Sequence, residues 1–423
     1  MRNPALTLSC AAAALLAIAP AEAQRRPRPS SAGSVTVVQD ADPAKYPARF
    51  EVVGRGPVTH MKSTELWAFR GVNGRDYVYT GTNGSCARCV GSTLFIWDVS
   101  DPAAPVMTDS VMVDAGAISD VAVNQAGTLA VLGRRGASSR RNGVVFLDLT
   151  DPAHPRPAGQ YWESLGAGVE AVWLDGNRLY ASDLGTGELA VLDVTNPRDA
   201  RVIGRWGAPV GDNVEPGSRF LADVQVRDGL AYLAYWNDGF VVLDVGSGVA
   251  GGTPNRPRVV SQTRYQTEYI RQRYGNTNAV FPYTTRAGQK YVFVGDAIVP
   301  PGADPARPME IGGRLHVFDV TRPESPREVA WYDVPGRGIN RFWAADDRLY
   351  IATNNGGLRA LDLSAALPAR LRDGELAVLP TRDERSAVPE LSVTWAAMAH
   401  NGLVFATDVH SGLWVTRLLP AAP

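Results

Sequence analysis

Residues 94–105 read LFIWDVSDPAAP, and residues 144–155 read VVFLDLTDPAHP. Each is a run of β-prone apolar residues ending in Asp, then an apolar residue, then a turn containing Pro. The phrase returns as LAVLDVTNP at 189–197, VVLDV at 241–245, LHVFDVTRPESP at 315–326 and LRALDLS at 358–364. A degenerate last copy is LWVTRLL at 413–419. The marker positions are Asp98, Asp148, Asp193, Asp244, Asp319, Asp362 and Thr416, at intervals of 50, 45, 51, 75, 43 and 54 residues. A repeat of this length is one supersecondary unit that buries its apolar face only by stacking on its neighbours.

The copies share an internal layout. A strand precedes the marker, as in ISDVAV at 118–123 or ADVQV at 222–226. A tight turn follows, such as Asp228-Gly229 or Asn401-Gly402, the residue pairs that two-residue hairpins demand. A second strand, the marker strand and an outer strand such as RVIGRW at 201–206 complete the unit. Four antiparallel strands per unit, repeated in a ring, predict an all-β, seven-bladed β-propeller. The last copy stops after its third strand, and RFEVVGR at 49–55 resembles the outer strands of the others. The ring is therefore expected to close by pairing 49–55 with 413–418 in the last blade, which removes a free edge.

The marker phrase resembles the LVIVD repeat of exported bacterial and archaeal proteins, most clearly over residues 90–363. The resemblance implies a propeller and no particular activity. That scaffold hosts hydrolases, lyases, oxidoreductases and pure binding modules, so function has to be argued from the site.

The chain's start agrees with export. Met1-Arg2-Asn3, an apolar run at 5–19 and Ala21-Glu22-Ala23 form a signal-peptide pattern with cleavage after Ala23. The run is too short to span a membrane comfortably, so a periplasmic or secreted protein is expected. Residues 24–45 are rich in Arg, Pro and Ser and are expected to be disordered, leaving 46–420 as one propeller domain. Of three cysteines, Cys86 and Cys89 survive cleavage, and in an exported chain they are expected to pair. A net charge of −1 and a pI near 6.5 argue against a nucleic-acid partner.

The marker Asp residues recur in every good copy at a strand end, where Asp fixes a turn by accepting backbone N–H bonds. Departures from the repeat say more. At the start of the first strands stand Glu65, Asp120, Glu170, Asp223, Asn278, Asn340 and Thr394. Four neighbouring units thus offer a carboxylate near one rim, either as a polar rim bonded to adjacent backbone or as oxygen ligands for Ca²⁺ or Mg²⁺. Strand order places Asp183, Asp296 and Asp408, which end second strands, on the same rim. His60, His410, Arg337 and a long insertion at 261–276 belong to this face too. The insertion alternates Tyr265, Tyr269 and Tyr274 with Arg264, Arg271 and Arg273, side chains enriched at binding hot spots.

Two functions compete. The leading reading is a binding or scaffold module that holds a protein, peptide or glycan on this face through Tyr265, Tyr269, Arg271, Arg273 and Arg337. A divalent cation at Glu65, Asp120, Glu170 and Asp223 would assist it. The alternative is a cation-dependent hydrolase or lyase at the same channel mouth, with His60 or His410 as base. No HExxH, G-x-S-x-G or phosphate-loop motif is present.

Overall fold

The computed structural model describes residues 45–420 apart from 85–91, 209–218, 265–275, 299–310, 366, 368–370 and 387. Among the described residues every sheet is antiparallel, and all but one are built from strands consecutive in the chain. Five sheets have four strands each, and one has eight. The eight-stranded sheet divides into two four-strand units joined only at the pair Asn83↔Ala117. In chain order the first strands of the units are Lys62–Arg70, Ala117–Val123, Val169–Asp175, Leu221–Arg227, Thr277–Thr284, Ile339–Ala345 and Thr394–His400. They begin units 1 to 7 below. Each first strand packs on the first strand of the next unit, and Thr394–His400 packs back on Lys62–Arg70. Unit 7 takes its fourth strand from the N-terminal side: Ala48–Pro57 pairs with Gly412–Pro420, from Ala48↔Pro420 to Pro57↔Gly412.

The turns carry the expected chemistry. Asp228 and Gly229 both have positive φ, as do Asn401 and Gly402, so each pair makes a two-residue hairpin that matches strand twist. The marker carboxylates accept the amide two residues on: Ser100 to Asp98 at 3.0 Å, Thr150 to Asp148 at 2.7 Å, Thr195 to Asp193 at 3.1 Å, Thr321 to Asp319 at 2.9 Å and Ser364 to Asp362 at 2.8 Å. Asp244 goes further and collects the amides of Gly246, Ser247, Gly248, Ala250 and Gly252. These residues organise the rim opposite the first-strand starts.

Apolar clusters lie between adjacent units. One joins Phe281, Phe293 and Tyr332 of unit 5 to Phe342, Leu349 and Ile351 of unit 6. Another joins Leu66, Phe95 and Trp97 of unit 1 to Met398, Phe405 and Val415 of unit 7. Burial of that size, about 25 cal/mol per Å² of apolar surface, is what fixes neighbouring units together.

Candidate functional site

The first strands share a local irregularity. Each loses register with its second strand near its start, at Ser63/Leu66, Ile118/Asp120, Val169/Val172, Leu221/Asp223, Thr277/Ala279, Ile339/Phe342 and Thr394/Ala396. A bulge re-aims the side chain beside it. In units 1, 2, 4 and 6 the residue just before the first regularly paired apolar position is Glu65, Asp120, Asp223 and Arg341, and all four line a central cavity.

Arg341 decides the electrostatics of this cavity, and the sequence reading passed over it. Its Nε donates to Glu65 Oε1 at 2.9 Å, and its Nη1 lies 3.9 Å from Asp223. The same guanidinium donates to the carbonyls of Asn278 at 2.5 Å and Ala222 at 3.2 Å. One arginine therefore ties units 1, 4, 5 and 6 together. Burial opposes its charge, but Asp223, Glu65, Asp120 and Glu170 more than offset that and hold it firmly protonated.

The carboxylates are met from within the protein. Glu65 also accepts from the Trp395 indole at 3.0 Å. Asp120 accepts from Val121 and, across to unit 3, from the Val172 amide at 2.7 Å. Asp223 does the same with Val224 and with the Val280 amide of unit 5 at 2.9 Å. Burial pushes all three up, Glu65 to about 6, even against Arg341. Three buried carboxylates facing one guanidinium share protons rather than ionise together.

Of the four carboxylates expected as a cation set, Glu65, Asp120 and Asp223 line the cavity, whereas Glu170, the first of two residues skipped by its bulge, turns to Arg135 at 2.6 Å. No group of three or more His, Cys, Asp or Glu among the described residues is arranged to hold a metal, and the Arg341 guanidinium stands beside Glu65 and Asp223 at the cavity.

Other polar residues of this rim stitch neighbouring units. Thr64 donates to the Ile118 carbonyl, Ser119 to Val169, Asn340 to Thr394 and Thr407 to Thr64. Asp183, Asp296 and Asp408 stand opposite Val169, Thr277 and Thr394, so they lie at the same rim, one strand outward. Asp183 pairs with Arg205 at 2.8 Å. Asp296 approaches the buried His316, whose other ring nitrogen meets Glu328 at 2.8 Å. Burial lowers the His316 pKa, but the two acids overcome it and raise it to about 9. Asp408 caps the turn at His410 and Ser411.

His60 is exposed, with its ring edge-on to Phe95 at 6.0 Å, and His410 is buried. Neither lines the cavity. Arg337 is buried and braces the Thr353–Gly357 turn by donating to the Asn355 carbonyl at 2.7 Å. Tyr265, Tyr269, Arg271, Arg273, Cys86 and Cys89 lie outside the described residues.

Below the charged layer the cavity has an aromatic floor. Trp67 meets Trp173 at 5.6 Å and Trp343 at 6.0 Å, and Trp343 meets Phe281 at 4.8 Å. The space left is about 60 Å³. That is room for a few waters, against the several hundred Å³ of a typical substrate pocket.

With this geometry in hand, comparison with known proteins is informative. The LVIVD repeat model matches residues 89–113 and 221–249. The chain carries LVIVD repeats. The two matches fall on units 1 and 4, whose marker strands end at Asp98 and Asp244. No curated protein sequence matches this chain. Its fold resembles the β-propeller domain of Swd1 from Myceliophteria thermophila, with a TM-score of 0.55, 11% identity and coverage of 88% of this chain and 99% of that one. It also resembles the extracellular domain of a putative one-component system from B. thetaiotaomicron, at TM-score 0.52 and 11% identity over 87% of this chain and 39% of that one. A computationally designed protein matches at TM-score 0.50 and 10% identity over 86% of this chain and 98% of that one. These likenesses establish a β-propeller fold. No helix among the described residues is long and apolar enough to cross a membrane.

Proposed function

We propose that this chain is an exported, seven-bladed β-propeller, closed by Ala48–Pro57, that works as a binding module for a protein, peptide or glycan of the cell envelope or exterior. Units 1 to 7 are its blades, and residues 46–420 form one domain after removal of residues 1–23. The partner engages the face on which the first strands begin, where the insertion with Tyr265, Tyr269, Arg271 and Arg273 and the paired Cys86 and Cys89 would sit.

One observation carries the binding reading over the enzymatic one. The channel mouth is filled by its own charges, Arg341 among Glu65, Asp120 and Asp223, above a floor of tryptophans. A hydrolase or lyase at this mouth would need a chamber and a base that reaches it. About 60 Å³ is left among the described residues, and neither His60 nor His410 lines it. A plugged channel suits a module that binds with its loops, which carry function on a rigid scaffold.

Photo-crosslinking tests this. A photoreactive residue at Arg140, exposed in a loop of the first-strand face, should capture a specific partner in cell-envelope extract. The same residue at Ala103, exposed in the turn that opens on the opposite rim, should capture none. Adducts confined to Ala103, or turnover of a hydrolase or lyase substrate lost on changing His60 or His410, would overturn the reading.

A further inference from the structure

Unit 2 passes from its second strand, Leu129–Arg135, to its third, Gly143–Asp148, through a loop on the first-strand face. The sequence here places Arg134, Arg135, Arg140 and Arg141 close together in the chain. Arg135 is paired with Glu170 at 2.6 Å. Arg134 is 4% exposed, yet it makes no ion pair among the described residues. Its Nη2 donates to the neutral Gln160 Oε1 at 2.9 Å, and its buried Nε meets no acceptor. Arg359, as deeply buried, meets Glu375, and Arg341 meets Glu65. A buried charge without its opposite is costly to keep.

A second arginine converges on it. Arg141, exposed in the loop, lies over the Trp162 ring at 4.9 Å. Gln160 and Trp162 stand two residues apart where the outer strand of unit 2 ends, so the side chains they hold lie side by side. The two guanidiniums feel each other. Burial pushes Arg134 down from its usual value, Asp114 opposes this, and Arg141 pushes it further down. Asp114 does not close the gap, because it is spent on the Ser138 amide at 2.7 Å, the Ser138 hydroxyl at 2.8 Å and the Ser139 amide at 3.1 Å. The loop itself is fixed. The Ala137 amide donates to Asn142 Oδ1 at 2.8 Å, and Asn142 Nδ2 donates to the Gly166 carbonyl at 2.7 Å. A Cβ on Gly143 would meet the Tyr161 carbonyl oxygen at 2.2 Å, so the loop's end sits tightly on the outer strand. Both cations are thus held in place before any ligand arrives.

We infer that Arg134 and Arg141 form an oxyanion site, to which the partner presents a carboxylate, sulfate or phosphate group. A guanidinium fork matches these groups in shape and charge. Stacking on a ring holds a guanidinium by its face and leaves its N–H edge to hydrogen-bond. The inference rests on the binding reading above for the existence of a partner, and adds the chemistry that the partner offers. Arg140, the crosslinking position, stands beside the site.

The probes are sodium sulfate, phosphate and acetate, each added to the full chain against sodium chloride of equal ionic strength, with the melting temperature as readout. At least one oxyanion should raise it saturably, by about 2 °C at about 20 mM, and the strongest of the three names the group. Arg141→Gln, on an exposed side chain, should raise the half-saturating concentration at least about five-fold. Arg134→Met should abolish the rise and, in chloride, melt no lower than the wild type, since it removes a buried charge that has no carboxylate. Arg156→Gln, on the opposite rim beside Asp148, should leave the rise unchanged. A rise absent for all three anions, matched by chloride, or kept undiminished in Arg141→Gln would overturn the inference. So would an Arg134→Met chain that melts well below the wild type in chloride, which would make the guanidinium a brace for Gln160. The titration uses no partner, so its failure leaves the crosslinking at Arg140 to stand. A failed crosslink beside a successful titration strikes the binding module and leaves the oxyanion site.

Discussion

The two rims of the propeller use the same side chain to opposite effect. On the Pro-turn rim, Asp148 and Asp193 are held below the usual carboxylate range by the hydroxyl and amide of the threonine two residues on, and Asp319 by the Thr321 amide and hydroxyl. On the first-strand rim, burial pushes Asp120, Asp223, Glu170 and Asp408 up, although each accepts hydrogen bonds too. The bonds are of similar length on both rims. What differs is solvent: a carboxylate that keeps its water gains from each donor, whereas one that loses it must recover a desolvation penalty first. The shallow acids are turn fixtures held chiefly by local amides and hydroxyls. Of the deep ones, Glu170 pairs with Arg135 and Asp408 is held by the Thr381 hydroxyl and the His410 and Ser411 amides, whereas Glu65, Asp120 and Asp223 depend on Arg341.

Breaking that dependence should give the largest effect. Arg341→Met leaves Glu65, Asp120 and Asp223 buried without their cation and should lower stability by about 3–5 kcal/mol in urea denaturation. Arg75→Met, which removes the partner of the shallow Asp98, should change it far less, because that pair is screened by water.

The rims should also differ in the sign of their pH dependence. Glu65 titrates near 6 in the folded chain, above its ordinary 4.5, so the folded state holds its proton more tightly. Its contribution is fully present below about 4.5 and declines as pH rises to about 6, by about 2 kcal/mol. Glu65→Gln should flatten that slope. The marker acids have lowered values, so their contribution is present above 3.8 and is lost as pH falls below it. Denaturation curves between pH 3 and 7 separate the two, in the manner set by linkage.

Smaller effects sharpen the contrast. Asp148→Asn keeps an acceptor for the Thr150 amide and should alter the melting temperature by only a degree or two, consistent with a surface change worth about 0.5 kcal/mol. Calcium should do less still. With Arg341 in place, melting curves in chelator and in millimolar-range calcium should superimpose, because a cation bound only by the folded state would have to raise the midpoint.

Much of the scaffold could be read from residues alone. The marker phrase, its spacing and the Asp-Gly and Asn-Gly turns locate the strands, because turn chemistry is local and repeats at fixed offsets. The pairing of Ala48–Pro57 with Gly412–Pro420 was legible for the same reason: a unit one strand short matched an orphan strand elsewhere. The site was read only in part. Glu65, Asp120 and Asp223 reach the cavity, but Glu170 does not, and Arg341 was passed over for its neighbour Asn340. Alternation along a strand assigns faces only while the register is regular, and each first strand is bulged at this point. The signal for Arg341 was present: it stands just before the apolar pair Phe342-Trp343 as Glu65 stands before Leu66-Trp67. Aligning on the apolar pair, not on the polar residue, would have found it.

The central claim is that an internal arginine, Arg341, offsets the buried carboxylates of the channel. A double-mutant cycle on Arg341→Met and Glu65→Gln tests it most directly. If the guanidinium and Glu65 support each other, the double variant should be less unstable than the sum of the singles by at least about 1.5 kcal/mol. Additivity of the two within about 0.5 kcal/mol would show that they do not interact energetically and would contradict the account.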